Sequence, residues 1–222
     1  MKYINVHTHH PSNNETILEI VNCFPDQEIK ENHYCSIGLH PWFIEPIADN
    51  KWIEIIKKKI EKENVVAIGE TGLDKTASIN FRKQIEIFER HIEIAEERQL
   101  PVFIHCVKAY SDILWQKKQY KNSTPWIIHG FSENRHIATE LIKHGCYLSF
   151  GKNLSPSFNK VKDYFAELPI DKIFFETDND LEYKIDEVYN QASVILKMPV
   201  DDLKHQIYYN FEKIFPGILK NE

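Results

Sequence analysis

A chain of 222 residues with 42% hydrophobic and 27% charged residues lies in the size range of one globular domain, and its composition excludes disordered and collagen-like classes. No apolar run approaches the length of a bilayer span, and a formal net charge of -6 argues against a globally basic nucleic-acid binder, though not against a local basic pocket. The opening segment, Met1 to Val6, passes directly into a histidine cluster and leaves no room for the apolar core of a signal peptide, so a cytoplasmic location is expected.

Apolar periodicity gives short β-rich runs alternating with longer amphipathic ones, the pattern of a parallel sheet covered by helices. In chain order the predicted strands are Lys2 to His7, Thr16 to Cys23, Tyr34 to Leu39, Val65 to Glu70, Pro101 to Cys106, Trp126 to His129, Cys146 to Phe150 and Lys172 to Thr177. Helices are predicted over Lys51 to Lys62, Asn80 to Arg98, Tyr110 to Lys118, Glu133 to Lys143, Phe158 to Glu167, Tyr183 to Leu196 and Val200 to Ile214. This alternation predicts an α/β fold, a TIM-type (β/α)8 barrel, with residues 1–222 forming a single domain. Pro11 to Glu15 is too short to hold a helix, so the barrel is expected to be slightly distorted and to lack the outer helix between strands 1 and 2. No repeat, charge block or low-complexity linker marks a second domain. Trp52, Ile55, Ile56 and Ile60 recur at helical spacing, so the lysine-rich first helix reads as an outer barrel helix rather than a nucleic-acid surface.

Cys23, Cys35, Cys106 and Cys146 have no CxxC spacing and read as reduced core residues. The eleven histidines carry more information. In His7-Thr8-His9 the imidazoles are two residues apart at a strand end, so both are expected to face the barrel axis in a chelating arrangement. Glu70, His105, His129 and Asp178 each close or follow an apolar run, which places all four at the C-terminal ends of strands, where barrel enzymes build their sites. Six residues of metal-ligating types converging there point to a metal centre. His10, His33, His91, His136, His144 and His205 fall on predicted loops or helices and read as exposed residues without a role.

These motifs, with Gly38-Leu39-His40-Pro41, Ala67-Ile68-Gly69-Glu70-Thr71-Gly72-Leu73-Asp74, Leu100 to Cys106, His129-Gly130-Phe131-Ser132, Glu176-Thr177-Asp178 and Asn210 to Phe215, resemble the TatD family of metal-dependent hydrolases, a group of amidohydrolase-like barrels. The resemblance covers nearly the whole chain. It implies two divalent ions, His7, His9, Glu70 and Asp178 holding one and Glu70, His105 and His129 the other, with Glu70 shared. Zinc, manganese, nickel and magnesium all suit such ligands. Paired ions of this kind activate water for attack on phosphorus or a carbonyl carbon, and Asp178 is the candidate for orienting that water and taking its proton. Glu70 and Asp178 are therefore the catalytic candidates. His40 is expected to contact substrate or support a ligand, and Asp74 to support the site by hydrogen bonds.

The chain departs from the family pattern where substrate is expected. Val107 stands where an arginine is common, with Lys108 one place later; a proline after Asp178 is replaced by Asn179-Asp180, which adds negative charge; a cysteine gives way to Gly130; and a tyrosine-rich stretch is replaced by Lys75 to Ser78. The leading expectation is a deoxyribonuclease acting on DNA ends, with Lys75, Lys108 and Lys152 as phosphate contacts. Hydrolysis of a small phosphoester, amide or ester is the alternative, and a non-catalytic metal-binding barrel is a third. DNA or a small phosphoester is thus the expected partner, with no membrane and no obligate protein partner.

Overall fold

The computed structural model describes residues 1–44, 51–120, 124–158 and 160–218. In chain order the strands are β1 Tyr3–Thr8, β2 Ile17–Cys23, β3 Tyr34–Ile37, β4 Val65–Asp74, β5 Val102–Val107, β6 Trp126–Ile128, β7 Tyr147–Phe150 and β8 Ile173–Phe175. The helices are α1 Lys51–Lys59, α2 Phe81–Arg98, α3 Tyr110–Gln119, α4 Arg135–Lys143, α5 Lys162–Phe165, α6 Ile185–Leu196 and α7 Val200–Ile214. All eight strands belong to one sheet in sequential order, and the amides of Thr177 and Asp178 return to the His7 carbonyl. With parallel strands and helical connections from β3 onward, this is the TIM-type barrel the sequence predicts. Residues 9–16 form bends and a turn without a helix, so the outer helix is missing between β1 and β2 as expected. Residues 24–33 hold no helix either.

The chain divides into two compact units, Met1–Val21 with His129–Glu222, and Asn22–Ile128. In the first, β7 and β8 pair in parallel with Leu148 opposite Ile173. The last two helices lock onto these strands through polar side chains. The buried Tyr189 hydroxyl of α6 accepts from the Ile4 amide and donates to the Ile4 carbonyl, both at 3.2 Å, and burial pushes this phenol well above its usual range. Asn210 of α7 donates to the carbonyls of Ile170 and Ile173 at 2.8 and 3.0 Å. Backbone groups at the entry to β8 are thereby satisfied out of reach of water.

In the second unit β4 is the organising strand, pairing in parallel with β3 and β5. Its ladder with β5 shifts register between Ile68 and Thr71. Glycine is required there: a Cβ on Gly69, at φ +128°, would lie 2.5 Å from the Phe103 carbonyl oxygen, and one on Gly72, at φ +149°, 2.0 Å from that of His105. Because the chain can bulge at these positions, β4 continues to Asp74 instead of ending at Glu70. Glu70 is therefore an interior residue of a strand, which corrects its expected place at the strand end. Helix α2 begins behind Asn80, whose side chain accepts from the amides of Arg82 and Lys83, and its Gln84 accepts from the Asp74 amide and donates to the Asp74 carbonyl.

Several helices are shorter than the periodicity implies: α1 ends at Lys59 rather than Lys62, and α6 starts at Ile185 rather than Tyr183. Asn134 accepts from the Ile137 amide and starts α4 at Arg135 rather than Glu133. The helix expected over Phe158 to Glu167 is reduced to α5, because the Phe158 amide closes a turn on Ser155; Asn159 lies outside the described residues. All four cysteines are buried and none forms a disulfide. Among the described residues no helix is long and apolar enough to cross a membrane.

Candidate metal centre

Two groups of ligand atoms are gathered, one in each unit, at or near the C-terminal ends of strands, apart from Glu70 in the interior of β4. In the first, His7 is the penultimate residue of β1 and His9 follows the strand, while Asp178 lies beyond the end of β8. The Nε2 atoms of His7 and His9 lie 3.6 and 3.5 Å from Oδ1 of Asp178, and one ligand atom from each residue falls within 4.8 Å of the other two. The pairing is enforced by backbone: His9 N–H donates to the Asp178 carbonyl at 2.9 Å, and Asp178 itself takes a left-handed conformation, φ +51°. Burial alone would raise the Asp178 carboxyl, but hydrogen bonds from His7 and His9 and the nearby His129 hold it well below the usual carboxylate range.

His129, immediately after β6, stacks its ring 4.5 Å from that of His7. Its Nδ1 lies 3.6 Å from Oε1 of Glu176, and the same oxygen accepts the Gly130 amide at 2.6 Å. Glu176 is 1% exposed. It was not among the expected site residues, although a carboxylate ending the apolar run Ile173-Phe174-Phe175 was the signal that could have found it.

In the second group, Oε1 of Glu70 lies 3.0 Å from His105 Nδ1 and 3.2 Å from His40 Nε2, and His40, Glu70 and His105 also offer ligand atoms within 4.8 Å of one another. The Glu70 amide donates to Asn22 Oδ1 at 2.8 Å. His40 Nδ1 accepts the Trp42 amide at 3.1 Å, so its proton sits on Nε2, facing Glu70. His40 is thus packed against a candidate ligand carboxylate. His105 is held from its other nitrogen, with Nε2 3.2 Å from Oδ2 of Asp74. That oxygen also accepts the Trp42 indole N–H, and Oδ1 accepts the amide and hydroxyl of Thr76. Burial acts to raise the Asp74 pKa, yet the donors from Thr76, Trp42 and His105 outweigh it and hold the carboxyl at about 2. An anionic Asp74 keeps the proton of His105 on Nε2, so that the lone pair of Nδ1 is on the side of Glu70. Trp42 had no sequence signal beyond its place after His40-Pro41.

The donor chemistry fits divalent ions: two imidazoles with the Asp178 carboxylate in the first group, and the His105 imidazole with the Glu70 carboxylate in the second, where His40 serves as a donor to Glu70. His91 corrects its expected exposure: it is fully buried, stacks on Trp52 at 4.5 Å, and takes the Leu39 amide on Nε2 at 3.0 Å while Nδ1–H faces the Ile87 carbonyl at 2.8 Å. Desolvation lowers its pKa to about 4. The ring therefore fastens the backbone one residue before His40.

The cations expected to meet phosphate are differently placed. Lys152 pairs with Asp180 at 2.7 Å and Lys75 with Asp112 at 2.5 Å. The charge added by Asp180 is thus neutralised locally, and its carboxylate also accepts the amides of Glu182 and Tyr183. Lys108 is exposed beyond the end of β5 in a left-handed conformation, φ +54°. Val107, at the end of β5, is half-buried.

Comparison with known proteins identifies the family. The family model described as "TatD related DNase" matches residues 2–216. A relative from Buchnera aphidicola subsp. Baizongia pistaciae, an "Uncharacterized metal-dependent hydrolase", is 33% identical over 71% of this chain and 60% of its own length. A second from Escherichia coli K12, the "Uncharacterized metal-dependent hydrolase YcfH", is 28% identical over 84% of this chain and 75% of its own. The chain thus spans about three fifths of the first relative. The crystal structure of YJJV, a TatD homologue from Escherichia coli K12, superposes with a TM-score of 0.83 at 21% identity, covering 96% of this chain and 97% of that one, which is agreement in fold. With a matched family model over nearly its whole length, the chain belongs to the TatD-related DNase family of metal-dependent hydrolases.

Proposed function

We propose that the protein is a phosphodiesterase acting on DNA ends, with His7, His9 and Asp178 holding one divalent ion and Glu70 and His105 belonging to a second. The observation that supports this reading is that His7, His9 and Asp178, and likewise His40, Glu70 and His105, bring ligand atoms within 4.8 Å of one another. When bound, such ions acidify water and stabilise charge on the attacking and leaving oxygens.

The chain's own residues supply the rest. Asp178 is anionic at neutral pH and partly open, 44% exposed at the side chain, so it can accept a proton from an attacking water and orient it. Asp74 fixes the ring of His105 through its far nitrogen. His40 donates from Nε2 to Glu70 and steadies the carboxylate. Lys108 is the exposed cation placed beyond β5 to meet a phosphate as a point charge, without the bidentate grip of an arginine. The buried, reduced cysteines suit a cytoplasmic setting.

The second reading, turnover of a small phosphoester, amide or ester, is favoured by the pairing of Lys152 with Asp180 and of Lys75 with Asp112, which leaves fewer cations for a long polyanion. Metal-loaded protein is to be incubated with end-labelled single-stranded DNA and a panel of small phosphoesters and amides, alongside Glu70→Ala. Shortening of DNA that is lost in the variant supports the deoxyribonuclease; turnover confined to small substrates supports the second reading; turnover of neither leaves a non-catalytic metal-binding barrel.

A further inference from the structure

Strand β4 carries Glu70 past both of its neighbours without an opposite residue. Its pairing with β3 ends where Ile68 faces Ile37, and its pairing with β5 passes from Ile68 directly to Thr71. Glu70 is 3% exposed, so its amide needs an acceptor from within the protein, because a buried N–H left unpaired is destabilising. That acceptor comes from β2. Asn22, the penultimate residue of β2, is itself buried, and its Oδ1 accepts the Glu70 amide at 2.8 Å and the Ser36 hydroxyl at 3.4 Å. A backbone N–H can only donate, so this contact fixes which end of the Asn22 amide faces Glu70.

The reach from β2 to β4 depends on Gly38, which follows β3. Its amide meets the Cys23 carbonyl at 3.4 Å, and a Cβ on it would lie 2.6 Å from the Glu70 carbonyl oxygen and 2.7 Å from Cα of Gly69. Any side chain there would force the backbone of β4 away from Asn22. The donor end of Asn22 adds nothing to this arrangement, since Nδ2 is buried without a hydrogen-bond partner among the described residues. Among those residues, the side-chain bonds of Asn22 all run through Oδ1. What Oδ1 holds is the main chain of a residue whose carboxylate lies 3.0 Å from His105 Nδ1 and 3.2 Å from His40 Nε2. Fixing the amide nitrogen fixes the Cα from which that carboxylate is projected.

We propose that Asn22 is the positioning residue of Glu70: by holding the amide of a position that both ladders skip, it sets where the carboxylate stands relative to His105. This rests on the reading of Glu70 and His105 as ligands of one divalent ion. Asn22 acts through Glu70 and is not itself a ligand.

Calorimetric titration of the metal-free protein with manganese tests this in the wild type, in Asn22→Leu, which has no acceptor, and in Asn22→Asp, which keeps one in the same place. Asn22→Leu is expected to weaken the ion held by Glu70 about tenfold, the scale of an outer support to a metal ligand. The other ion, identified as the one that Asp178→Asn weakens, is expected to keep its wild-type affinity, and Asn22→Asp to bind both as the wild type does. In a Glu70→Ala background Asn22→Leu is expected to have no further effect, since a positioning residue acts only through the group it positions. Should Asn22→Leu not fold, Asn22→Ser, whose hydroxyl is too short to reach the amide, takes its place. Unchanged affinity in Asn22→Leu, an equal loss in Asn22→Asp, equal weakening of both ions, or an undiminished loss in the Glu70→Ala background overturns the proposal. A weakened Glu70→Ala beside an unweakened Asn22→Leu overturns the positioning role alone, whereas metal uptake by Glu70→Ala equal to that of the wild type overturns the ligand reading and the proposal with it.

Discussion

The indole Nε1–H of Trp42 donates to Oδ2 of Asp74 at 2.7 Å, and that oxygen also lies 3.2 Å from Nε2 of His105. A residue that is 55% exposed thus reaches a candidate metal ligand through one fully buried carboxylate. Trp42→Phe keeps the aromatic surface and deletes only the donor. Asp74 then binds His105 less rigidly, and metal affinity is expected to fall about tenfold with the far-UV circular dichroism unchanged. Competition titration against a chromogenic chelator measures this; an affinity equal to wild type would refute the Trp42–Asp74–His105 relay.

His91 makes stability depend on pH in a defined window. Its pKa is lowered from 6.5 to about 4 by burial, so between those values the unfolded chain binds a proton that the folded one does not. Stability from this group is complete above 6.5, erodes as pH falls, and is lost below about 4, a total of about 3 kcal/mol. In His91→Gln, where the amide oxygen can still accept from Leu39, that part of the slope is expected to vanish. Urea unfolding of both proteins across the window decides the matter, since parallel curves would assign the acid sensitivity elsewhere.

Metal removal is expected to lower Tm and to be reversed by adding the ion back. Ions bound only to the folded chain stabilise it by about 2.7 kcal/mol at a hundredfold excess over Kd. Asp178→Asn, which weakens the His7–His9–Asp178 group, should shrink the metal-dependent increment in Tm. Differential scanning calorimetry with and without chelator tests this, and a Tm indifferent to both would exclude the group as an ion site.

Residues 1–222 are expected to unfold in one cooperative step. Strand β2 runs across the division between the units, which falls between Val21 and Asn22, so neither unit can separate without breaking a strand. Trp42, Trp52, Trp115 and Trp126 all lie in the second unit, so tryptophan fluorescence reports that unit alone while circular dichroism reports helices of both. Coincident urea midpoints are expected; separated midpoints would show two domains.

Strand and helix identity was legible in the residues because each element carries its own period, and the α7 boundaries match the reading because Pro199 precedes Val200 and the apolar stripe ends at Ile214. The residues offered as ligands were legible for a related reason: polar groups closing apolar runs stand out. Glu70 was misplaced within its strand because the bulge at Gly69 and Gly72 depends on how closely β5 approaches, a distance that no local pattern encodes. His91 was misread because a histidine in a helix looks the same whether its face meets water or Trp52.

The order of residues by itself determined a barrel of alternating strands and helices, a set of imidazoles and carboxylates, and membership in a metal-dependent hydrolase family, since periodicity and motif are local properties of the chain. Only the tertiary structure decided which charges are free and which are spent. Lys152 and Asp180 are separated by 28 positions and cancel at 2.7 Å, while Asp74 and Glu176 acquire their roles from rings and amides brought to them by other strands. Pairing depends on distances in space, and those are set by packing after the local elements have formed.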